Sequence, residues 1–261
     1  MGFISNSLTT FICAMIEEQK LGSGYYLEIC ANSVASALAA QDGGASRIEL
    51  CQQLEAGGVT PSAGQISLTR TLLRIGVHVL IRPRAGDFYY SDEEFREMLM
   101  DVLYCREIGC DGVVIGMLMA DGRVDVARMR QLVEAAGPML VTFHRAFDRS
   151  HDPFEALEDV IRCGCQRLLT SGLQDRACEA IPLLAELVER AGNRIEIMPG
   201  SGVTEENMVG ILTKTGAKSV HSSAKVDVHV PPGKPQPKGW ASTWVSSTKK
   251  VRTMADLLQN L

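Results

Sequence analysis

Eight short, mostly apolar segments recur along this chain of 261 residues. Their starts are roughly 20 to 35 residues apart, which leaves room for one crossover helix between consecutive strands of a parallel sheet. The predicted strands are residues 26–30, 47–51, 77–82, 112–116, 139–144, 167–171, 194–198 and 218–222. More than any other feature, this repeat restricts the chain to an alternating β/α architecture.

The segments between the predicted strands carry the start and stop signals of helices. Ser91 and Glu94 have the spacing of a capping box, Asp152 precedes a proline at a first helical position, and Thr204 is expected to open another helix. Glycine, which is common just after the last helical residue, stands shortly before each strand from the second onward, at Gly44, Gly76, Gly109, Gly137, Gly164, Gly192 and Gly216. Eight repeats of one pattern favour a closed (β/α)8 barrel, the TIM barrel, over an open doubly wound sheet.

The length favours a single domain, because a TIM barrel typically takes about 250 residues. We predict the barrel over residues 26–261, with its core at 26–224 and a C-terminal loop and closing helix at 225–261, the helix itself at 251–261. Residues 1–25 form a predicted extension, in which residues 3–16 show the apolar spacing of a helix. Two alternatives stay open for this segment. In the first it is a helix that covers the bottom of the barrel or makes an oligomer contact, and in the second it is a mobile extension.

Composition limits the possible partners. The net charge of −5, from 26 basic and 31 acidic residues, leaves no basic surface typical of nucleic-acid binding. The apolar segment at 3–16 has no basic start and is too short to cross a bilayer, so neither a signal peptide nor a membrane span is indicated. Eight cysteines without a CxxC pair indicate neither a structural zinc site nor a disulfide framework. We therefore expect reduced thiols and a cytoplasmic protein.

Three carboxylates occupy equivalent positions in similar strand sequences, at Glu28, Glu49 and Glu196. Strand alternation puts Glu28 on the same side as Cys30, and Glu49 on the same side as Cys51; if these sides face inward, the carboxylates lie inside the barrel. Lone buried carboxylates are costly, so counter-charges are needed. Arg82 and Arg84, at the end of the third strand, are the predicted counter-charges, since each guanidinium can hold a carboxylate with two hydrogen bonds.

Two cysteines follow the first two of these glutamates at a spacing of two residues. Cys30 and Cys51 end neighbouring strands, which lie about 4.8 Å apart in a sheet. Paired thiolates select soft ions such as Cu(I). The alternative is that both side chains are core residues, because cysteine also behaves as a small hydrophobe.

A second hypothesis makes the carboxyl ends of the strands an active site. His144, Arg145 and Asp148 provide an imidazole, a guanidinium and a carboxylate at the end of the fifth strand, and on this hypothesis His144 and Asp148 are the catalytic groups. The alternative is that Arg145 and Asp148 form a structural pair, while His144 is a hydrogen-bonded residue at the rim. The turn after the seventh strand, at Gly200, Ser201 and Gly202, suits phosphate binding through backbone N–H groups, and a tight turn with a helix cap is the alternative. These groups predict an aldolase-like or isomerase-like reaction on a phosphorylated or carboxylated small molecule. No organic cofactor is indicated.

Several motifs together resemble one known family. They are Leu-Glu-Ile-Cys30, Arg-Ile-Glu-Leu-Cys51, Gly-Gly-Val-Thr-Pro-Ser62, Ile-Arg-Pro-Arg-Ala-Gly-Asp-Phe88, Thr-Phe-His-Arg-Ala-Phe-Asp148, Leu-Thr-Ser-Gly172 and Val-His-Ser-Ser-Ala224. The chain from about residue 26 to about residue 224 is thus similar to the CutC family, known as copper-homeostasis proteins. The resemblance implies a TIM barrel, a cytoplasmic location, a homo-oligomer (dimer or tetramer), and Cu(I) bound by Cys30 and Cys51.

Overall fold

The structure, a computed structural model, describes residues 20–22, 24–227 and 244–261. Its strands are β1 Tyr26–Ala31, β2 Arg47–Leu50, β3 Gly76–Leu80, β4 Gly112–Ile115, β5 Leu140–Phe143, β6 Arg167–Thr170, β7 Glu196–Pro199, β8 Ser219–Ser222, β9 Lys225–Asp227 and β10 Trp244–Ser246. Its α-helices are α1 Val34–Gly43, α2 Ala63–Leu72, α3 Asp92–Glu107, α4 Val126–Ala136, α5 Pro153–Cys163, α6 Ile181–Ala191, α7 Met208–Thr215 and α8 Thr248–Gln259. Short 3₁₀ helices follow β2, β5 and β6, at Leu54–Ala56, Arg145–Arg149 and Ala177–Glu179.

Strands β1 to β8 form one parallel sheet in the order β7-β6-β5-β4-β3-β2-β1-β8. Strand β1 pairs with both β2 and β8, and β7 lies against β8, so that the sheet is nearly closed. The architecture is the predicted TIM barrel. All eight predicted strands are present, and each of their ends lies within two residues of its predicted position.

The helix signals are confirmed at most positions. The hydroxyl of Ser91 accepts a hydrogen bond from the Glu94 backbone N–H, and the Glu94 carboxylate accepts one from the Ser91 backbone N–H, which completes the capping box. Gly44 ends α1 in the left-handed conformation. Two expectations were wrong. Gly76 is the first residue of β3, because α2 ends at Leu72 in extended backbone that requires no glycine. The helix expected at Thr204 starts only at Met208, after a turn closed by hydrogen bonds between Thr204 and Asn207.

The C-terminal part covers one side of the barrel. The predicted closing helix is α8, which starts three residues earlier than expected and packs against α1. Before it, β10 pairs antiparallel with β9, directly after the eighth barrel strand. The predicted helix at 3–16 and most of the predicted C-terminal loop, residues 228–243, lie outside the described residues. Within the described ranges, the helices are too short or too polar to cross a membrane.

Candidate functional site

Alternation along β1 and β2 places polar side chains inside the barrel, as predicted. Leu27 and Ile29 join the apolar layer between the sheet and the helices, whereas Glu28 contacts residues of β2, β6 and β8 across the interior. Glu28 is fully buried and Glu49 is 6% exposed. Two carboxylates in such surroundings must have nearby positive groups.

The positive groups are Arg47, Arg167 and His221. The Arg47 guanidinium donates from Nε to Glu28 Oε2 at 2.6 Å, and Arg167 donates from Nε to Glu196 Oε2 at 3.2 Å. His221 Nδ1 lies 2.8 Å from the second oxygen of Glu28. Both arginines begin their strands and point inward with the acidic residues beside them. Arg47 stands two residues before Glu49, so strand alternation already assigns both to one face, a signal that the sequence analysis missed.

Arg82 and Arg84 are not the counter-charges of the interior carboxylates, which corrects the prediction. Both follow the last residue of β3, where the chain has left the barrel wall. Arg82 turns back and donates to three backbone carbonyls, at Ala56, Gly58 and Gly86, while its guanidinium lies over the Phe88 ring. The Arg84 guanidinium binds the carboxylates of Glu94 and Asp87 at the surface. Strand parity therefore does not extend into the loop that follows the strand.

The interior ion pairs shift the pKa values of their members. Burial alone would raise the pKa of Glu28, but Arg47 and His221 outweigh it and hold that pKa well below its ordinary value. Burial raises the pKa of Glu49, and His221 offsets only part of the rise. Burial opposes a charge on His221, yet Glu49, Cys30 and Glu28 raise its pKa well above the usual value. At neutral pH Glu28 is thus a carboxylate and His221 an imidazolium.

The two cysteines lie together immediately beside this cluster. Their Sγ atoms are 3.5 Å apart, Cys30 is 3% exposed and Cys51 has no exposed surface. The Cys30 thiol donates to Glu49 Oε2 at 3.2 Å, and the Cys51 thiol donates to the Ala31 carbonyl. The hydrogen bond with Cys51 and burial raise the pKa of Cys30 well above its ordinary value. Among the described residues, Cys30, Glu49 and Cys51 form a group whose ligand atoms all lie within 4.8 Å of one another.

A cavity of about 510 Å³ opens above the thiols at the carboxyl ends of the strands. Cys30, Glu49 and His221 line it from the barrel side. The remaining walls come mainly from the segments after five of the barrel strands and from α8, and include Leu54, Arg82, Phe88, His144, Arg145, Ser201, Gly202, Ser223, Lys225 and Lys250. Most of the residues predicted for a site are therefore brought to one cavity.

His144 lies in this wall as a neutral imidazole. Its Nδ1 accepts a hydrogen bond from the Ala146 backbone N–H, so the ring proton is on Nε2. Burial and the charge of Arg82 lower the pKa of His144 to about 3. The side chain is 5% exposed, and the tilted Phe88 ring has its centroid 5.0 Å away. In the neutral range His144 can thus donate a hydrogen bond from Nε2 but carries no charge.

Asp148 is not placed beside His144 in this wall. Its carboxylate accepts hydrogen bonds from the Arg145 guanidinium, the hydroxyls of Thr170 and Ser171, and two backbone N–H groups after β6. It is not among the described residues that line the cavity. With its oxygens occupied in this way, Asp148 holds the 3₁₀ helix after β5 against the loop after β6, and it orients Arg145, which does reach the cavity.

The turn after β7 forms another part of the cavity wall. Ser201 and Gly202 have φ values of 75° and 65°, a left-handed conformation in which glycine is favoured. The Ser201 hydroxyl donates to the Asp175 carbonyl, and the Asn207 amide donates to the Gly202 carbonyl. Ser201 and Gly202 line the cavity, whereas Gly200 supports them through a backbone hydrogen bond to Thr170.

Comparison with known proteins agrees with the motifs. The profile of the CutC family matches residues 25–226. The chain belongs to the CutC family. It is 55% identical over 202 residues to a family protein CutC from Chromobacterium violaceum, covering 77% of this chain and 82% of that one. It is 52% identical over 204 residues to a family protein CutC from Parabacteroides distasonis, covering 78% and 84%.

A solved member of the CutC family has the same fold. The crystal structure of CutC from Streptococcus agalactiae, which carries a copper-homeostasis name, superposes with a TM-score of 0.73 at 36% identity. The match covers 76% of this chain and 98% of that one. Cys30, Cys51 and the barrel residues around the cavity all lie in the part that the family profile matches. The assignment to a copper-homeostasis family thus rests on sequence and on fold.

Proposed function

We propose that this protein binds Cu(I) as cargo through the thiolates of Cys30 and Cys51 and so buffers the ion in the cytoplasm. The observation that carries the proposal is the 3.5 Å separation of the two Sγ atoms at the base of a cavity. Sulfur ligands select Cu(I) over harder ions, and two of them close together can bind one ion. The copper-homeostasis name of the solved relative supports the same assignment.

The surroundings of the thiols suit a soft ion. Cys30 and Cys51 form a small cluster with Leu80 and Val114, against which Leu54 packs. These apolar side chains limit the access of water and of hard oxygen ligands from one side. On the other side Cys30 borders the cavity, which provides a path for the ion or for a carrier that delivers it.

Binding must displace protons, because only a thiolate is an effective ligand. The pKa of Cys30 is raised, so this thiol is protonated in the neutral range before the ion arrives. Glu49 Oε2 already accepts the Cys30 hydrogen bond and its own pKa is raised by burial, so Glu49 is placed to take up the released proton. Cu(I) affinity is then expected to increase with pH.

The test is an anaerobic Cu(I) titration against a strong competing chelator. The native protein is compared with a Cys30→Ser, Cys51→Ser variant, and a Cys163→Ser, Cys165→Ser variant is the matched control. The control pair is also buried but lies next to the amino end of β6, away from the cavity. One tightly bound ion, lost in the first variant and kept in the second, supports the proposal. Equal weak binding by all three proteins contradicts it.

The choice of ion needs a second titration, because Cys30, Cys51 and Glu49 are also acceptable ligands for Zn²⁺. A stoichiometric amount of Zn²⁺ should leave the Cu(I) binding curve unchanged. Displacement of Cu(I) by Zn²⁺ would contradict the copper assignment.

The proposal also includes a homo-oligomer, dimer or tetramer, which light scattering after size exclusion measures directly.

A further inference from the structure

Two hydrogen-bond donors in the cavity wall have no partner within the described part of the chain. They are His144 Nε2 and Arg82 Nε, on side chains that are 5% and 4% exposed. Buried polar atoms are nearly always hydrogen-bonded, so such donors in one wall indicate an acceptor that comes from outside the protein. The buried Tyr90 hydroxyl, which interacts with Arg82, is an acceptor inside the protein for Arg82 only, so the inference depends chiefly on His144 Nε2. The other guanidinium nitrogens of Arg82 are held by the backbone, which fixes its position.

Both groups act as donors only. The Nδ1 atom of His144 is used by the Ala146 N–H, which leaves the proton on Nε2, and guanidinium has no acceptor atom. The ligand atom that would satisfy them is therefore an acceptor, such as a carbonyl or carboxylate oxygen. The tilted Phe88 ring lies against both His144 and Arg82 and completes this corner of the cavity wall, called the His144 corner below.

The charge of the cavity favours an anion. Arg82, Arg145, Lys225 and Lys250 line it, against the two carboxylates of Glu49 and Glu205. This excess of positive charge stands in a chain whose net charge is −5. A cleft of one sign with low-dielectric walls attracts small ligands of the opposite sign.

Two of the four basic groups belong to the C-terminal part of the chain, whereas Arg82 and Arg145 lie near His144. Lys225 and Lys250 lie beside the turns after β7 and β8, where Ser201, Gly202 and Ala224 all have positive φ. Loops at this position of a TIM barrel commonly bind phosphate through backbone N–H groups. The lysines reinforce such a site, although Lys250 is also 3.5 Å from Glu205.

We propose that the cavity binds a small phosphorylated compound that carries a carbonyl or carboxylate oxygen at its other end. That oxygen accepts hydrogen bonds from His144 Nε2 and Arg82 Nε, and the phosphate lies against Ser201, Gly202, Lys225 and Lys250. This binding site goes beyond the copper function and uses neither thiol. Its failure and the failure of the copper proposal can therefore be distinguished.

Calorimetric titration tests the proposal with two kinds of probe. A two-ended probe carries both a phosphate and a carboxylate, and a one-ended probe carries a phosphate alone. The two-ended probes are 2-phosphoglycolate and 3-phosphoglycerate, and inorganic phosphate is the one-ended reference. A two-ended probe should bind one per chain and more tightly than phosphate. If none of the three saturates at millimolar concentrations, the proposal is wrong.

Substitutions in the cavity wall test which residues bind the carboxylate of the probe and which bind its phosphate. The His144→Phe variant keeps the ring shape and removes the donor, so the two-ended probe should lose about tenfold or more in affinity while phosphate changes little. A Lys225→Met, Lys250→Met variant should weaken binding of all three probes. The Cys163→Ser, Cys165→Ser variant, whose changes lie away from the cavity, should bind them as the native protein does. Equal binding of the two-ended probe by native protein and His144→Phe would overturn the assignment of the His144 corner.

A direct measurement keeps the test valid if His144→Phe does not fold. In native protein labelled with ¹⁵N-histidine, the two-ended probe should shift the Nε2 signal of one neutral histidine. Inorganic phosphate should leave that signal in place. A Nε2 signal unmoved by a bound two-ended probe contradicts the proposal, whatever the variants do.

Discussion

Arg47 Nε and Glu28 Oε2 are 2.6 Å apart inside the barrel, and neither side chain has any exposed surface. Arg47 also reaches Met198 Sδ on β7, so that a single side chain spans the interior. TIM-barrel interiors are usually filled with layers of branched apolar residues. Here a charged cluster takes the place of part of that core, directly beneath the cavity and the two thiols.

Removing one partner of this pair should be strongly destabilising. The Arg47→Met variant leaves Glu28 as a buried carboxylate without its main counter-charge, and such changes cost about 3–5 kcal/mol. Denaturant unfolding followed by circular dichroism measures the free energy of unfolding. Arg194→Met breaks a surface pair with Glu158 and serves as the control, for which no measurable change is expected. Equal stability of the two variants would show that the buried pair contributes little.

The same pair makes the free energy of unfolding depend on pH in the acidic range. Because the folded pKa of Glu28 lies well below its unfolded value of about 4.3, its ionised form stabilises the fold fully above that pH. This contribution is lost as the pH falls from the unfolded pKa through the folded one. The free energy of unfolding should therefore fall less between about pH 5 and pH 3 in Glu28→Gln than in native protein. A native profile no steeper than that of the variant contradicts this prediction.

His221 should produce the opposite dependence. Its pKa is raised by Glu49, Cys30 and Glu28 against the effect of burial, so the protonated ring stabilises the fold. That contribution is complete below the unfolded pKa of about 6.5 and is lost as the pH rises through the higher folded pKa. Native protein should lose more stability than His221→Gln on going from neutral to mildly alkaline pH. Parallel unfolding curves for the two proteins would rule this out.

A glycine next to His144 offers a way to move the imidazole without altering it. A Cβ at Gly116 would lie 2.5 Å from His144 Nδ1, so Gly116→Ala must displace the ring. Overpacking of this kind costs about 1–3 kcal/mol, and the two-ended phosphorylated probe should bind more weakly. Cu(I) titration should be unchanged, since the thiols are untouched.

The matched control for that substitution is Gly210→Ala in α7, where an added Cβ meets no atom within 4 Å among the described residues. This variant should bind the probe as native protein does. Comparison of the two by calorimetry separates the displacement of His144 from a general effect of adding a methyl group. Unaltered probe binding by Gly116→Ala would remove His144 from the site.

The amino-acid sequence by itself determined the barrel and part of the cavity. Strand period, helix caps and glycine stops are local signals, and eight repetitions of them predict the fold with strand ends accurate to two residues. That Glu28 shares a side with Cys30, and Glu49 with Cys51, followed from alternation alone. The proximity of the two thiols followed because consecutive strands of a barrel are neighbours.

Only the tertiary structure decided which charges meet. Arg82 was expected to bind the interior carboxylates, but it lies beyond the end of β3 and turns back onto backbone carbonyls. Asp148 had two predicted roles, a catalytic group or a structural partner of Arg145, and the structure shows its carboxylate bound by Arg145 and by donors that the loop after β6 supplies. In a loop, side-chain direction depends on contacts between residues far apart in the sequence, which no local period encodes. The partners of Glu28 come from β2, β6 and β8, and only closure of the barrel brings those strands together.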